Sequence, residues 1–138
     1  MNVAVLRVEG EDAALEALKS ALPVHCDTQW TRGDRRRSGA TYDASGFSVT
    51  VADATNPREL QTKIASFLKL CKEKNLRFAN SKTSAELAVG FTVGDSEQYV
   101  AGVVFSVPEL LSLAQDGIAL SITAYPTSDA ANAEDSST

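Results

Sequence analysis

The chain has few of the side chains from which metal centres and nucleophilic sites are usually built. Two cysteines, Cys26 and Cys71, and a single histidine, His25, occur among its 138 residues. A structural zinc site usually takes four Cys or His ligands, and no cluster of acids has the spacing of an EF-hand loop. The sequence therefore predicts neither a metal nor any other cofactor.

Long apolar stretches and a secretion signal are also lacking. No apolar run approaches the ~20 residues that span a bilayer. The first residues form a short apolar stretch that Arg7 interrupts, without the basic start, long apolar centre and small-residue cleavage site of a signal peptide. Two distant thiols suit a reducing compartment. These features predict a cytoplasmic protein that makes no membrane contact.

The charges are unevenly distributed along the chain. The formal net charge is -5, yet four arginines lie between positions 32 and 37, and no lysine or arginine follows Lys82. A hydrophobic content of 43% suits one globular domain with one core. We expect a single domain over residues 1–125, followed by a disordered acidic tail over residues 126–138, where small and polar residues prevail.

Hydrophobic periodicity predicts an α+β fold with the element order β-α-β-β-α-β-β-α-β. The predicted helices cover residues 11–22, 55–75 and 107–117, and the predicted strands cover residues 2–8, 23–30, 46–52, 84–93, 99–106 and 118–125. This order indicates a single mainly antiparallel sheet of about six strands with three helices on one face. It begins like a ferredoxin-like βαββαβ unit and continues with an extra β-α-β.

Capping residues support the second and third helices. Asn56 can cap the second helix, and Pro57 suits its first turn. Ser106 and Glu109 have the spacing of a capping box, and Gly117 is placed to end the third helix.

The strand patterns predict a sheet face that no helix covers, made mostly of small or polar residues. Alternation in residues 23–30 places His25, Asp27 and Gln29 on that open sheet face and Trp30 on the opposite one. A solvated face is the plain interpretation, since antiparallel sheets allow it. A shallow docking surface, with possible contacts at His25, Asp27 and Gln29, is the functional one.

The stretch "WTRGDRRRSGATYD" is the most unusual part of the chain. Intramolecular pairing with Glu9, Glu11, Asp12 or the acidic C-terminal part gives little reason for four arginines, because exposed ion pairs contribute only ~0–1 kcal/mol each. Arginine is favoured at protein interfaces, where it offers forked donors and stacks on aromatic rings. We therefore predict a partner-binding site on this loop, with a solvated flexible loop as the alternative. Its residues are Trp30, Arg32, Asp34, Arg35, Arg36 and Arg37.

The nearest approach to a catalytic set is His25 with Asp27, beside which Ser48 or Thr50 could lie. Nucleophilic catalysis needs a nucleophile, a base and an orienting group. No nucleophile-elbow motif is present, and Cys26 points away from His25 on the predicted strand. Glycine motifs that bind phosphates are also lacking. The sequence favours a protein that is not an enzyme, and an enzyme of unrecognised type near His25 and Asp27 is a third alternative.

Nucleic-acid binding is the other function that the arginines suggest. They could contact phosphates together with the lysines of the second helix. Proteins that bind single strands also need exposed aromatic side chains for stacking, and the predicted open face offers none. The acidic net charge opposes non-specific binding as well, so both observations argue against this function.

Several short motifs occur in an order that resembles the bacterial domain of unknown function 4279 family over residues 3–125. They are "GED" after the first strand, a proline that opens the second, "WTRGD" at residues 30–34, an aromatic-led strand, and the closing "FSVPELLSLAQDGIALSITAY". The chain departs from the family pattern at Phe47, where tryptophan is often found. The resemblance implies a compact α+β fold, brings no reaction or catalytic residues, and associates the chain with toxin-immunity neighbourhoods.

These observations predict a non-enzymatic protein-binding module, in its most concrete form a bacterial immunity-type protein that neutralises a toxin by direct binding. A small-ligand or phosphate-binding regulatory domain that uses the arginine-rich loop is the alternative. Self-association as a homodimer, through an edge strand or the small-residue face, is compatible with the same pattern.

Overall fold

The computed structural model describes residues 1–127. In this range, strands with alternating apolar residues form a five-stranded sheet. The elements are β1 (Asn2–Gly10), α1 (Asp12–Ala21), β2 (Thr28–Trp30), β3 (Ser45–Asp53), α2 (Pro57–Glu73), β4 (Thr83–Val93), α3 (Val107–Asp116) and β5 (Ile118–Pro126). The predicted α+β class is confirmed, but the sheet has five strands, so the prediction of six was wrong. Most of the predicted acidic tail, residues 128–138, lies outside the described part of the chain.

The strands lie in the order β2-β3-β1-β4-β5. All neighbours are antiparallel except β4 and β5, which are parallel. One face is buried: Ala4, Leu6 and Val8 of β1 are fully buried on it. Helices α1 and α2 contact β1 and β3, while α3 contacts β5 and α2. The helices therefore cover one face, as predicted, and we call the opposite face the open face.

The predicted helix caps are present. Asn56 Oδ1 accepts a hydrogen bond from the Glu59 backbone N–H at 2.9 Å. Ser106 and Glu109 form the reciprocal capping box, and Gly117 ends α3 in the left-handed conformation with φ 72°. These contacts join residues at most four apart in sequence, which explains why the sequence alone predicts them.

Residues 99–106, predicted as a strand, pair with no strand within residues 1–127. Ala101, Val103 and Phe105 are half-buried against the core, whereas Val104 between them is exposed. The Val104 N–H donates to Gln61 Oε1 of α2 at 2.9 Å, which places this extended segment on the helix layer. Burial of every second residue therefore shows that one side of an extended segment faces the core. It does not require that the segment pairs with a strand.

The second strand is shorter than predicted, and its faces are reversed. Gln29 lies opposite Phe47 on the helix-covered side and accepts a hydrogen bond from Lys19 Nζ of α1 at 2.9 Å. Trp30 lies opposite Gly46 on the open face. The predicted placement of Gln29 on the open face was therefore wrong. The polar side of α1 covers this edge of the sheet, so the apolar side chain of β2 finds its contact on the other face.

Two carboxylates have pKa values shifted in opposite directions by their surroundings. Burial raises the pKa of Asp116 at the end of α3, against smaller opposing effects of Arg77 and Lys72. Hydrogen bonds from the side chain and backbone of Thr55 lower the pKa of Glu59 in the first turn of α2.

These shifts predict opposite pH dependences for two isosteric variants. A raised folded-state pKa means that ionisation costs stability, so Asp116→Asn should become more stable than wild type as the pH rises above about 4. A lowered folded-state pKa means that ionisation stabilises, so Glu59→Gln should be less stable than wild type at neutral pH and approach it in acid. Urea unfolding from pH 3 to pH 7 measures both differences. If both variants were more stable than wild type at neutral pH, or both less stable, the assigned pKa shifts would be contradicted.

Candidate binding site on the arginine loop

Residues 31–44, which we call the arginine loop, form a hydrogen-bonded hairpin between β2 and β3. The Gly33 N–H donates to the Tyr42 carbonyl at 3.0 Å, and the Tyr42 N–H donates to the Asp34 carbonyl at 2.9 Å. Nearer the tip, the Arg36 N–H donates to the Ala40 carbonyl at 2.7 Å. The backbone of the loop is therefore held in one conformation by bonds across it.

Two turns shape the loop. At its base, Asp34 Oδ2 accepts from the Thr31 N–H at 2.8 Å, and the Asp34 N–H donates to the Thr31 carbonyl at 3.0 Å. Gly33 and Gly39 have φ values of 94° and 88°, which side-chain-bearing residues rarely adopt. These contacts form a tight turn at Gly33 and Asp34.

A stack of two aromatic rings, with a guanidinium group against each ring, joins the loop to the open face. Trp30 and Tyr42 stack with ring centroids 5.1 Å apart and planes inclined by 20°. The Arg7 guanidinium carbon lies 4.6 Å from the Trp30 centroid, and that of Arg36 lies 4.6 Å from the Tyr42 centroid. We call these four residues the arginine–aromatic stack. Each cation–π contact at an exposed site contributes ~0.5–1 kcal/mol.

Gly46 forms the floor beneath Trp30. A Cβ at this position would overlap Trp30 Cζ2 and lie 2.6 Å from the carbonyl oxygen of Val8. The indole is further fixed by its N–H, which donates to the Ala44 carbonyl at 3.1 Å. A tryptophan can therefore lie flat across β3 only because its cross-strand partner has no side chain.

The stack borders an open cavity of about 450 Å³ on the open face. Its charged lining residues are two arginines, Arg7 and Arg36, and two glutamates, Glu9 and Glu86. Glu9 Oε1 accepts from Arg7 Nε at 3.1 Å, whereas Glu86 Oε1 accepts from the Ser121 hydroxyl at 3.2 Å. The cavity thus presents charges of both signs.

The four loop arginines, Arg32, Arg35, Arg36 and Arg37, are all exposed. Within residues 1–127, ion pairs join Arg7 to Glu9, Lys19 to Glu16 and Lys63 to Glu59, and none involves these four arginines. Pairing with Glu9, Glu11 or Asp12, the alternative weighed on sequence, is therefore not found among the described residues, and the acids after residue 127 lie outside them.

The structure brings together only part of the predicted site. Trp30 and Arg36 are both members of the arginine–aromatic stack. The backbones of Arg35 and Thr41 form an isolated antiparallel bridge across the hairpin. Arg37 is exposed, and the Arg32 backbone N–H donates to the Ser45 hydroxyl at 2.9 Å.

The three residues predicted to contact a partner from the open face are not part of this cluster. Asp27, which directly precedes β2, accepts from the Thr50 backbone N–H of β3. His25 is exposed ahead of β2, and no hydrogen bond links it to Asp27, Ser48 or Thr50 within the described residues. Gln29 lies on the helix side.

Arg7 and Tyr42 were missed by sequence reasoning. The signal for Arg7 was its position as the single charged residue inside the apolar stretch "NVAVLRV", in phase with the open face. Tyr42 stands inside the loop itself, but its contact with Trp30 depends on the turns at Gly33 and Gly39, which fold the loop back on itself.

A family model described as Domain of unknown function (DUF4279) matches residues 1–127. The chain belongs to this family. The match confirms the resemblance seen in the short motifs, and it includes the arginine loop and every member of the stack, so the candidate site lies within the DUF4279 domain. No curated protein and no solved structure is significantly similar to the chain.

Among residues 1–127, no three His, Cys, Asp or Glu side chains come together as metal ligands would. No helix in the same range combines the length and apolar character needed to cross a bilayer.

Proposed function

We propose that this DUF4279 domain is a non-enzymatic protein-binding module and that the arginine loop, with its arginine–aromatic stack, is the contact surface. One observation carries the proposal: four exposed arginines without ion pairs in residues 1–127 are displayed on a loop that hydrogen bonds hold in place. Arginine and tryptophan are the residue types that contribute most at protein interfaces.

The rigidity of the loop supports a recognition role. Ordering a loop on binding costs free energy, and a loop ordered beforehand avoids most of that cost. The bonds between Gly33, Asp34 and Tyr42 fix the backbone, and the ring of Tyr42 holds the guanidinium of Arg36. A flexible solvated loop, the alternative weighed on sequence, would need neither set of contacts.

The expected partner is a protein with an acidic surface. Exposed guanidinium groups form paired hydrogen bonds with carboxylates, which gives both affinity and orientation. The overall net charge is -5, and a second group of basic residues lies between Arg58 and Lys82. An acidic partner is attracted to the arginines of the loop, so its association should weaken with salt.

The most specific form of the proposal is a bacterial immunity-type protein that neutralises a toxin by direct binding. A fixed loop with exposed arginines and a stacked tryptophan suits a protein that covers an acidic surface on another protein. This form predicts that the partner is an enzyme whose activity falls in proportion to the bound DUF4279 domain, which an activity titration measures.

A small-ligand or phosphate-binding regulatory domain remains the second candidate. The cavity of about 450 Å³ favours it, because Arg7 and Arg36 both line that space. Glu9 and Glu86 line the same cavity and oppose a multiply charged anion. Raised thermal stability in phosphate, lost on Arg36→Ala, would favour this candidate over a protein partner.

The test compares two variants with equal charge changes. Arg35→Glu, Arg36→Glu and Arg37→Glu together reverse the loop, while Lys69→Glu, Lys74→Glu and Lys82→Glu reverse three exposed lysines elsewhere. Pull-down from the source cell lysate should yield a stoichiometric protein with the wild type and the lysine variant. The loop variant should weaken its Kd about 100-fold or more.

Circular dichroism and thermal melting establish that both variants are folded. Equal binding by the two variants would remove the loop from the contact surface. Loss of binding in both variants would show that the overall charge of the chain, and not the arginine loop, determines binding.

We also propose that β1 to β4 form a ferredoxin-like unit to which β5 is added. Two observations support this: the chain order β1-α1-β2-β3-α2-β4 and the spatial order β2-β3-β1-β4, with each neighbouring pair antiparallel. Because β5 is added beside β4, it becomes an edge strand of the sheet.

A further inference from the structure

The two edges of the sheet differ in length and in protection. β2 forms one edge with three residues and leads directly into the arginine loop. β5 forms the other with nine residues and, in the described part of the chain, pairs with β4 alone. Within residues 1–127, no hydrogen bond joins the outer backbone edge of β5 to another element. As far as the structure describes the chain, a row of backbone donors and acceptors without partners therefore runs along β5.

The sequence of β5 does not protect this edge. Monomeric proteins usually blunt an edge strand with charged residues, proline, a bulge or a short length. "IALSITAYP" is uncharged, and its one proline, Pro126, is the last residue of the strand. Such an edge is suited to the addition of another strand.

We propose that a second copy of this chain adds to β5 in antiparallel orientation, about a two-fold axis at Ile122, and joins the two sheets into one of ten strands. Opposed residues in an antiparallel pair share a face, so a two-fold axis perpendicular to the sheet must pass through one residue and not between two. An axis at Ile122 opposes that residue to its own copy and uses the whole strand.

The side chains of β5 are complementary to themselves in this register. Large residues face small ones: Tyr125 lies opposite Ala119 of the second copy, and Leu120 lies opposite Ala124 of the second copy. Ser121 meets Thr123 of the second copy, a pair that can share a hydrogen bond. No charge on β5 repels an identical strand, and the matching of large with small residues about Ile122 favours a second copy over a partner of different sequence.

Exposed apolar side chains border the same edge on both faces. Ile122 on the helix side is 48% exposed, and Tyr125 on the open face is 50% exposed. α3, which packs against β5, keeps Leu110 and Leu111 46% and 54% exposed. A perpendicular two-fold axis places both α3 helices on the same side of the joined sheet, where these leucines can pack together.

Salt should affect this self-association and partner binding by the arginine loop in opposite directions. Two chains with a net charge of -5 repel each other, so dimer formation should strengthen as salt screens the repulsion. Binding of an acidic partner to the loop should weaken over the same range. β2 and β5 are opposite edges of the sheet, although Arg36 of the loop and Ala119 of β5 line the same cavity. The opposite salt dependences therefore distinguish failure of one proposal from failure of the other.

Sedimentation equilibrium of the full chain from 1 to 300 µM tests the proposal. We expect twice the chain mass for the wild type. Ile122→Lys, which places two lysines against each other, should weaken association about 100-fold or more. Leu70→Lys is the matched control, since Leu70 is 43% exposed on α2, and it should remain dimeric. A wild type that is monomeric at every concentration would overturn the proposal.

A cross-linking experiment fixes the register and remains informative if Ile122→Lys fails to fold. In a Cys26→Ser background, Ile122→Cys should form a disulfide-linked dimer on mild oxidation, because directly opposed Cβ atoms lie about 4.5–5.5 Å apart. Leu70→Cys should not. A dimer that Ile122→Lys leaves intact and Ile122→Cys does not cross-link would place the interface elsewhere and refute this assignment.

Discussion

Replacing Gly46 with alanine is expected to displace Trp30 from the open face and to lower the free energy of unfolding by about 2–4 kcal/mol. The new Cβ would overlap the indole and lie 2.6 Å from the carbonyl oxygen of Val8. The indole can swing away, but the oxygen belongs to the backbone of a central strand. The variant must therefore lose the arginine–aromatic stack and also strain the pairing of β1 with β3.

The measurement is direct because the chain contains one tryptophan. Its fluorescence emission should shift toward the wavelength of a solvated indole in folded Gly46→Ala, and urea unfolding should give the loss of stability. Gly102→Ala is the control, since a Cβ at Gly102 meets no atom within 4 Å. An unchanged emission maximum together with unchanged stability would contradict the role assigned to Gly46.

The same variant links the stack to the proposed function. Gly46→Ala leaves all four loop arginines in place, so the charge of the contact surface is unchanged. If the stack positions Arg36 for recognition, partner affinity should fall in Gly46→Ala even at temperatures where the variant is fully folded. If affinity is unaffected, the charge of the loop is sufficient and the stack has only a structural role.

The two cysteines should differ in thiol reactivity by about 1,000-fold or more. Cys71 on α2 is fully buried, and burial, assisted by the nearby charge of Asp116, raises the pKa of its thiol to about 12. With that pKa, Cys71 has almost no thiolate form at neutral pH. Cys26 is half-buried, and its thiol donates to the Thr28 carbonyl at 3.1 Å near the sheet edge.

Reaction with an aromatic disulfide reagent at pH 8 measures this difference. The native protein should release one equivalent of product rapidly, and the second should appear only on addition of denaturant, because Cys71 becomes accessible through unfolding of the core. Cys26→Ser should abolish the fast phase, and Cys71→Ser should leave it unchanged. Two fast equivalents from the native protein would show that α2 opens readily.

Local signals in the sequence determined the helices and the central strands. Asn56, the Ser106–Glu109 pair and Gly117 act within one helical turn, so their effect is the same in any tertiary context. The alternation of β1 and β4 records burial by the helices, and both strands appear where the pattern places them. The turn at Gly33 and Asp34 is local in the same sense, because its hydrogen bonds join residues three apart.

Tertiary structure decided which extended segments pair and which face each side chain takes. Residues 99–106 carry a strand pattern yet rest on the helix layer, because alternation reports one-sided burial and not a hydrogen-bonding partner. β2 turns Trp30 to the open face, since α1 presents polar groups on the other side and Gly46 leaves room for the indole. Neither α1 nor Gly46 lies within eight residues of Trp30, so no local sequence pattern predicts this orientation.

The candidate site shows the same division. The sequence by itself determined that the arginines lie together in a glycine-flanked loop beside a tryptophan. Only the fold brings Arg7, 23 residues earlier in the chain, onto the face of Trp30 and folds Tyr42 back between Trp30 and Arg36. Contacts between distant residues depend on strand order and register, which arise from packing of the whole chain and not from the preferences of any one segment.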